Sequence, residues 1–279
     1  VDLEIIKTIG DKILDVPLAQ VGGKGLFVKE IEDALLAKSV DLAVHSMKDV
    51  PAVLPEGLRI GAIPRREDPR DVFISGVCAS VCGLPPGARV GTSSLRRAAQ
   101  LKRIRSDLEV QTLRGNLDTR LRKLREGLYE AIVLAAAGLH RMGWNDRITS
   151  YLDPLEFVPA IGQGALGIEV RSDDEGIRRV LAPIHHRDTA FAVEAERSFL
   201  RELEGGCQVP LGGYAVVAGD EVELTGIVAS LDGKILIRRT LRGSVEERVR
   251  IGRQLAVGLL DAGAGKILED IYGNAAGKW

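Results

Sequence analysis

The sequence predicts an α/β protein in which a first domain is interrupted by an inserted second one and followed by a small α+β third. Three observations predict it. Up to about residue 170, short β-branched or Ala-rich runs each lead into a stretch of helical spacing, as βαβ units around a parallel sheet do. Two polar, proline-bearing breaks, Pro64–Pro69 and Val158–Gly164, bracket the middle of the chain. From Asp188 onward the texture changes to one helix followed by alternating strands. With 279 residues and 45% hydrophobic content, the chain can bury more than one core.

The elements follow in order. Val1, Leu3 and Ile5 alternate with polar residues as a strand does, and position 1 is not Met. A segment upstream is therefore expected to be missing, and a targeting peptide could lie within it. Gly25–Lys38 places Phe27, Ile31, Ala34 and Leu35 on one helical face, and Asp41–His45 is the strand after it. Arg89–Gly91, Val110–Leu113 and Ala131–Ala135 read as further strands, with helices over Leu95–Ile104 and Leu117–Arg125. The last domain carries strands Tyr214–Ala218, Glu221–Ser230 and Lys234–Arg242, a turn at Asp232-Gly233, and a capping box of Ser244 with Glu247 opening a long final helix. If the chain leaves a first domain at one break and returns at the other, domain 1 comprises 1–64 and 165–182, domain 2 comprises 70–158 and domain 3 comprises 187–279, with a ligand cleft between the first two.

Composition narrows the function. No apolar run approaches membrane-spanning length; the longest, Ala131–Gly138, reads as a buried strand, so no membrane role is expected. Cys78, Cys82 and Cys207 are too few for a disulfide framework, which points to a reducing compartment, by default the cytoplasm. Cys78 and Cys82 lack the partners of a zinc site, and His45, His140, His185 and His186 show no metal spacing; no metal is expected. Net charge is −1, yet Arg96–Arg147 holds twelve Lys or Arg against six Asp or Glu, whereas residues 1–50 hold six against nine. The Arg-rich middle suggests an anionic ligand held by forked donors.

Several residues could carry chemistry. Asp49 and Lys48 follow the strand ending at His45, and ligands collect at the carboxyl ends of strands in open α/β sheets. Asp49 could hold a cationic intermediate and move a proton, or simply cap a helix or pair with a surface cation. Gly91-Thr92-Ser93-Ser94-Leu95-Arg96-Arg97 joins a strand end to a helix start with hydroxyls and two arginines, an anion cradle or an ordinary N-cap beside a solvated face. Arg114, Arg120 and Arg141, each near another strand end, favour the cradle. Gly22-Gly23-Lys24-Gly25 lacks the spacing of a nucleotide-binding loop, so Lys24 is free to meet another anion. Cys207 sits among Gly205, Gly206 and Pro210 between a helix and a strand, open either to attachment chemistry or to an inert role.

Taken together, Gly22–Phe27, His45–Pro51, Gly91–Arg97, Leu113–Asn116 and Gly205–Pro210 resemble the porphobilinogen deaminase (hydroxymethylbilane synthase) family in order and spacing along essentially the whole chain. The resemblance implies two periplasmic-binding-protein-like domains with a cleft between them and a small α+β third. It implies a transferase that condenses four porphobilinogens head to tail with loss of ammonia and releases hydroxymethylbilane for tetrapyrrole biosynthesis. The cofactor would be a dipyrromethane primer joined by a thioether to Cys207. Asp49 would be catalytic, and Lys24, Lys48, Ser94, Arg96, Arg97, Arg114, Arg120 and Arg141 would bind the acetate and propionate groups of cofactor and substrate. The resemblance also implies a monomer, and a first strand upstream of Val1, without which the chain as written is expected to be inactive or unstable. Gln20 stands where some members carry Lys.

Two other readings compete. A non-catalytic two-domain binding protein for a carboxylate-rich small molecule would share the cleft and its arginines without needing Asp49 or Cys207. A nucleic-acid binder is ranked last, because 4% aromatic residues offer few stacking platforms.

Overall fold

The protein was analysed as a computed structural model that describes residues 2–6, 8, 28–203 and 209–276. Lys24, Phe27 and Cys207 therefore lie outside the described residues.

The first sheet is built from β1 (Ala43–Ser46), β2 (Leu58–Ala62) and β8 (Leu166–Arg171), with α1 (Lys29–Leu36) and α5 (Glu175–Leu181) beside them. Its order is β1-β8-β2, and β8 runs antiparallel to both neighbours, with Ala43 opposite Glu169 and Leu58 opposite Arg171. This corrects the expectation of a parallel sheet. The central strand is the chain returning from the second domain, and hydrophobic period carries no information about strand direction. On α1 Leu35 is buried with Ile31 packed beside it, and Glu32, not expected on the inner face, is buried as well.

The second sheet has the order β5-β4-β6-β3-β7, from β3 (Asp71–Ser75), β4 (Arg89–Gly91), β5 (Glu109–Gln111), β6 (Ala131–Ala135) and β7 (Ser150–Tyr151). β4 is parallel to β5 and β6, whereas β3 is antiparallel to β6 and β7. Helices α2 (Leu95–Ile104), α3 (Leu117–Arg125) and α4 (Ala136–Arg141) follow β4, β5 and β6. Phe73, Val90, Ala131 and Val133 pack on one face with Leu101 and Phe157, and Val72, Ile74, Ile132 and Leu134 pack on the other with Leu113 and Leu139. Cover on both faces explains why these strands read as unbroken apolar runs.

The third unit packs α6 (Arg187–Glu202) and α7 (Arg248–Leu259) on a meander of order β11-β10-β9, formed by β9 (Leu211–Ala218), β10 (Glu221–Ala229) and β11 (Leu236–Ser244). Phe199 is fully buried at the centre of this core. Gly226 and Gly252 permit the close approach: a Cβ would fall 2.7 Å from Phe199 Cζ at the first and 2.5 Å from the Ala195 carbonyl at the second. The expected capping box is incomplete. Ser244 Oγ accepts from the Glu246 N–H at 3.3 Å, and α7 starts at Arg248 after a 3₁₀ turn. The final helix is also interrupted at Gly263 (φ 101°), beyond which α8 (Gly265–Ala276) begins.

The two crossings lie side by side, with the Glu67 N–H donating to the Gly164 carbonyl at 3.2 Å. Arg66 donates from Nε to the Gln163 carbonyl (2.8 Å) and from Nη1 to the fully buried Glu196 of α6 (2.6 Å). Glu196 also accepts from the Gly162 and Ala215 N–H groups, at 2.6 and 2.8 Å. One buried carboxylate thus ties both crossings to the third unit's sheet, and its lone pairs are used by charged and backbone donors as burial demands. Among the described residues no helix is long and apolar enough to cross a membrane.

Candidate active site in the cleft

Lys48 and Asp49 occupy a 3₁₀ turn, Met47–Asp49, at the end of β1. Met47 seats the turn: it is buried, and its N–H donates to the Ala165 carbonyl at 3.0 Å. The space for Met47 exists because two positions are glycine. A Cβ at Gly167 would lie 2.2 Å from Met47 Sδ, and one at Gly162 (φ +70°) 2.8 Å from Met47 Cβ. Asp49 is exposed, and among the described residues it caps no helix and makes no hydrogen bond or ion pair. The capping and surface-pair alternatives are therefore not what the structure shows. Lys48 is half-buried; burial pushes its ammonium below the usual lysine range, Asp49 and Asp71 oppose this, and Arg97 and Arg120 reinforce it.

The facing wall comes from the second domain. Ser94 is the N-cap of α2, its Oγ accepting from the Arg97 N–H at 3.4 Å, and Ser93 Oγ donates to the Leu113 carbonyl at 2.6 Å. Arg114 follows β5, and Arg120 on α3 donates from Nε to the Gly115 carbonyl at 2.7 Å. Gly115 has φ +111°, and a Cβ there would lie 2.6 Å from Thr119 Cγ2, so this tight turn requires glycine. Burial, followed by Arg97 and Arg114, brings Arg120 down to about 10, with Asp49 opposing. A guanidinium stays charged at neutral pH, so Arg120 remains a cation despite its burial. Arg141 is exposed and donates from Nη2 to the Gly164 carbonyl at 2.9 Å, placing it at the second crossing.

Arg96 and Arg97 require a correction. Neither lies on a solvated face: both are buried, and their first partner is Asp71 at the start of β3. Arg96 Nη1 donates to Asp71 Oδ2 and to the Val158 carbonyl, each at 2.7 Å. Arg97 donates from Nε to Asp71 Oδ1 (2.9 Å) and from Nη1 to the Val133 carbonyl (3.2 Å). Gln163 Nε2 completes the group at 3.0 Å from Asp71 Oδ1. Burial would raise Asp71, but the two guanidiniums outweigh it and hold the carboxyl at about 2. Sequence reading missed Asp71 and Gln163. The available signal for Asp71 was a carboxylate opening an apolar strand, which must be paired if it is buried.

The histidines have partners within the protein. His45 Nε2 lies 2.8 Å from buried Glu169, His186 caps α6, and His140 contacts Glu67 and Tyr151, so the histidines serve packing and capping. Among the described residues no His, Cys, Asp or Glu cluster could hold a metal ion.

A cofactor rich in carboxylates fits this donor set. Arg96 Nε is buried without a hydrogen-bond partner, and the Lys48 ammonium makes no hydrogen bond or ion pair, among the described residues. Asp49 acts electrostatically on both Lys48 and Arg120, as does Arg97, and Arg114 also acts on Arg120.

Comparison with known proteins agrees. The family described as "Porphobilinogen deaminase, dipyromethane cofactor binding domain" matches residues 1–179, and "Porphobilinogen deaminase, C-terminal domain" matches residues 190–261. A porphobilinogen deaminase of Syntrophobacter fumaroxidans is 64% identical over 98% of this chain and 88% of its own length. That of Nitratidesulfovibrio vulgaris (strain DP4) is 57% identical over 99% and 88%, and that of Geobacter sulfurreducens 54% identical over 98% and 85%. Two family matches that between them take in most of the chain, and relatives more than half identical along nearly all of it, show that this chain belongs to the porphobilinogen deaminase family.

Proposed function

We propose that the chain condenses four porphobilinogens head to tail on a dipyrromethane primer attached through Cys207, releasing ammonia at each addition, and then frees hydroxymethylbilane by breaking its bond to the primer with addition of water, with Asp49 as the catalytic carboxylate. The observation that carries this reading is the exposed Asp49, without a hydrogen bond or ion pair among the described residues, within electrostatic reach of Lys48 and Arg120. When bound, the primer supplies a pyrrole α-carbon nucleophile. All other steps fall to the chain's own residues.

Each pyrrole brings an acetate and a propionate. Lys48, Arg97, Arg114 and Arg120 are assigned to bind them, with Lys24, Ser94, Arg96 and Arg141 completing the set, through charge-assisted hydrogen bonds. Loss of ammonia breaks the aminomethyl C–N bond of the substrate and leaves a delocalised cation. A fixed carboxylate stabilises that charge more than mobile water does, so Asp49 lowers the barrier by accepting hydrogen bonds from the pyrrole N–H and balancing the cation. Carbon–carbon bond formation then releases an α-proton, which Asp49 accepts on this reading. The same reading makes the enzyme a cytoplasmic monomer that engages neither nucleic acid nor membrane, with domain limits at 1–64 with 165–182, 70–158 and 187–279.

Asp49→Asn tests the assignment, since it keeps shape and removes charge. Ammonia release and porphobilinogen consumption should fall by about three orders of magnitude or more while substrate binding persists, as expected when one stabilising group is lost from the transition state. Turnover within tenfold of the parent would reject Asp49. Saturable binding with intact release of porphobilinogen by the unaltered protein would favour the non-catalytic binding protein instead.

A further inference from the structure

Among the described residues Asp49 makes no hydrogen bond or ion pair that would hold it, so its position depends on its neighbours in the chain. On the N-terminal side, Met47 is locked by the Ala165 carbonyl and by the space left at Gly162 and Gly167. On the C-terminal side the side chains found bonding to the backbone of residues 50–52, among the described residues, both come from α6 of the third domain. Arg197 donates from Nη1 to the Val50 carbonyl (3.1 Å) and from Nη2 to the Pro51 and Ala52 carbonyls (2.6 and 3.3 Å). Arg201 adds one longer contact, 3.4 Å to the Ala52 carbonyl, from an exposed position.

We infer that Arg197 is a positioning residue for the reaction: by gathering three successive carbonyls directly after Asp49, it fixes the catalytic carboxylate from the third domain. A planar fork whose donors sit on separate nitrogens suits three successive carbonyls better than the single nitrogen of an ammonium. The contact withdraws the guanidinium from water: burial and the neighbouring Arg201 bring Arg197 down to about 10, against Glu169. The adjacent Glu196 holds the two crossings, so consecutive residues of one helix set the hinge and the catalytic turn. The geometry also gives the third domain a task in the cleft that needs no side chain of its own beside the substrate.

This inference rests on the Asp49 reading, and a double-mutant cycle on the primed holoenzyme separates the two. Arg197→Gln should lower kcat by roughly 10–100-fold, the scale of a misplaced catalytic group, and leave KM for porphobilinogen within about threefold. Arg197→Lys should recover part of the loss, and Arg201→Gln should stay within twofold of the parent. In an Asp49→Asn background, Arg197→Gln should cause almost no further loss, because the group it positions is gone. Equal fold-losses in both backgrounds, or a kcat per folded molecule unchanged by Arg197→Gln, would overturn the positioning role while leaving Asp49 in place. Near-normal turnover of Asp49→Asn alone would instead bring down the Asp49 reading.

Discussion

Replacing Asp71 by asparagine removes the single carboxylate that neutralises two buried guanidiniums. Asp71 is fully buried; Oδ2 accepts from Arg96 Nη1 and Oδ1 from Arg97 Nε and Gln163 Nε2. Either orientation of an Asn side chain turns an NH₂ group toward one of these donors, leaving uncompensated charge in a site closed to water. Breaking a buried pair in this way typically costs about 3–5 kcal/mol, and two guanidiniums place Asp71→Asn toward the upper end. At 2–4 °C per kcal/mol the melting temperature should fall by roughly 10 °C. The pH dependence carries a sign. The carboxyl is depressed to about 2 from an ordinary 3.8. Its ionisation therefore stabilises the fold by about 2 kcal/mol above pH ~4, an amount lost as pH falls through the folded value. Urea unfolding followed by fluorescence, with Trp144 packed in the same domain, should show the parent converging on the variant between pH 4 and 2. A destabilisation under about 1 kcal/mol at pH 7, or a gap that widens on acidification, would refute the assignment of Asp71 as the anchor of Arg96 and Arg97.

Two further perturbations address the catalytic turn. Lys48 is pushed below the usual lysine range chiefly by burial, so KM for porphobilinogen should rise with pH before 10.5 is reached, as the ammonium deprotonates. Lys48→Arg should flatten that rise in a pH series, and an unchanged profile would remove Lys48 from substrate binding. Gly167→Ala forces a methyl to within 2.2 Å of the Met47 sulfur, so it should displace the turn and destabilise the protein by about 1–3 kcal/mol with loss of turnover. Met47→Ala in the same chain should relieve part of this, and a soluble, fully active Gly167→Ala protein would contradict the packing account.

Much of this architecture is legible in the residues. Ala131–Ala135 is apolar at every position because both faces of its sheet are covered, and its limits match the strand found. Ser94, one reading of which is an N-cap of α2, does cap it, accepting from a backbone N–H one turn on; Asn116 caps α3 in the same way. What stayed illegible depends on tertiary partners. β8 reads as a strand without revealing that it pairs antiparallel on both sides. Glu32 sits in an apolar stripe, yet its carboxylate is buried close enough to Glu169 and His45 for them to act on its charge. The arginines of α2 were recognisable as important, but whether a guanidinium meets ligand or protein depends on a carboxylate 25 residues upstream of Arg96. Motif resemblance located Lys48 and Asp49, whereas the residues that hold the turn, Met47, Gly162, Gly167 and Arg197, carry no motif and emerge only from packing.

The account turns on a primer-bearing cleft, and the most direct measurement is the intact mass of the protein after incubation with porphobilinogen, with a peptide map to place the adduct. The account predicts an added mass equal to two linked pyrrole units on the peptide containing Cys207. A protein that consumes porphobilinogen but carries that mass elsewhere, or binds it without covalent addition, would contradict the account.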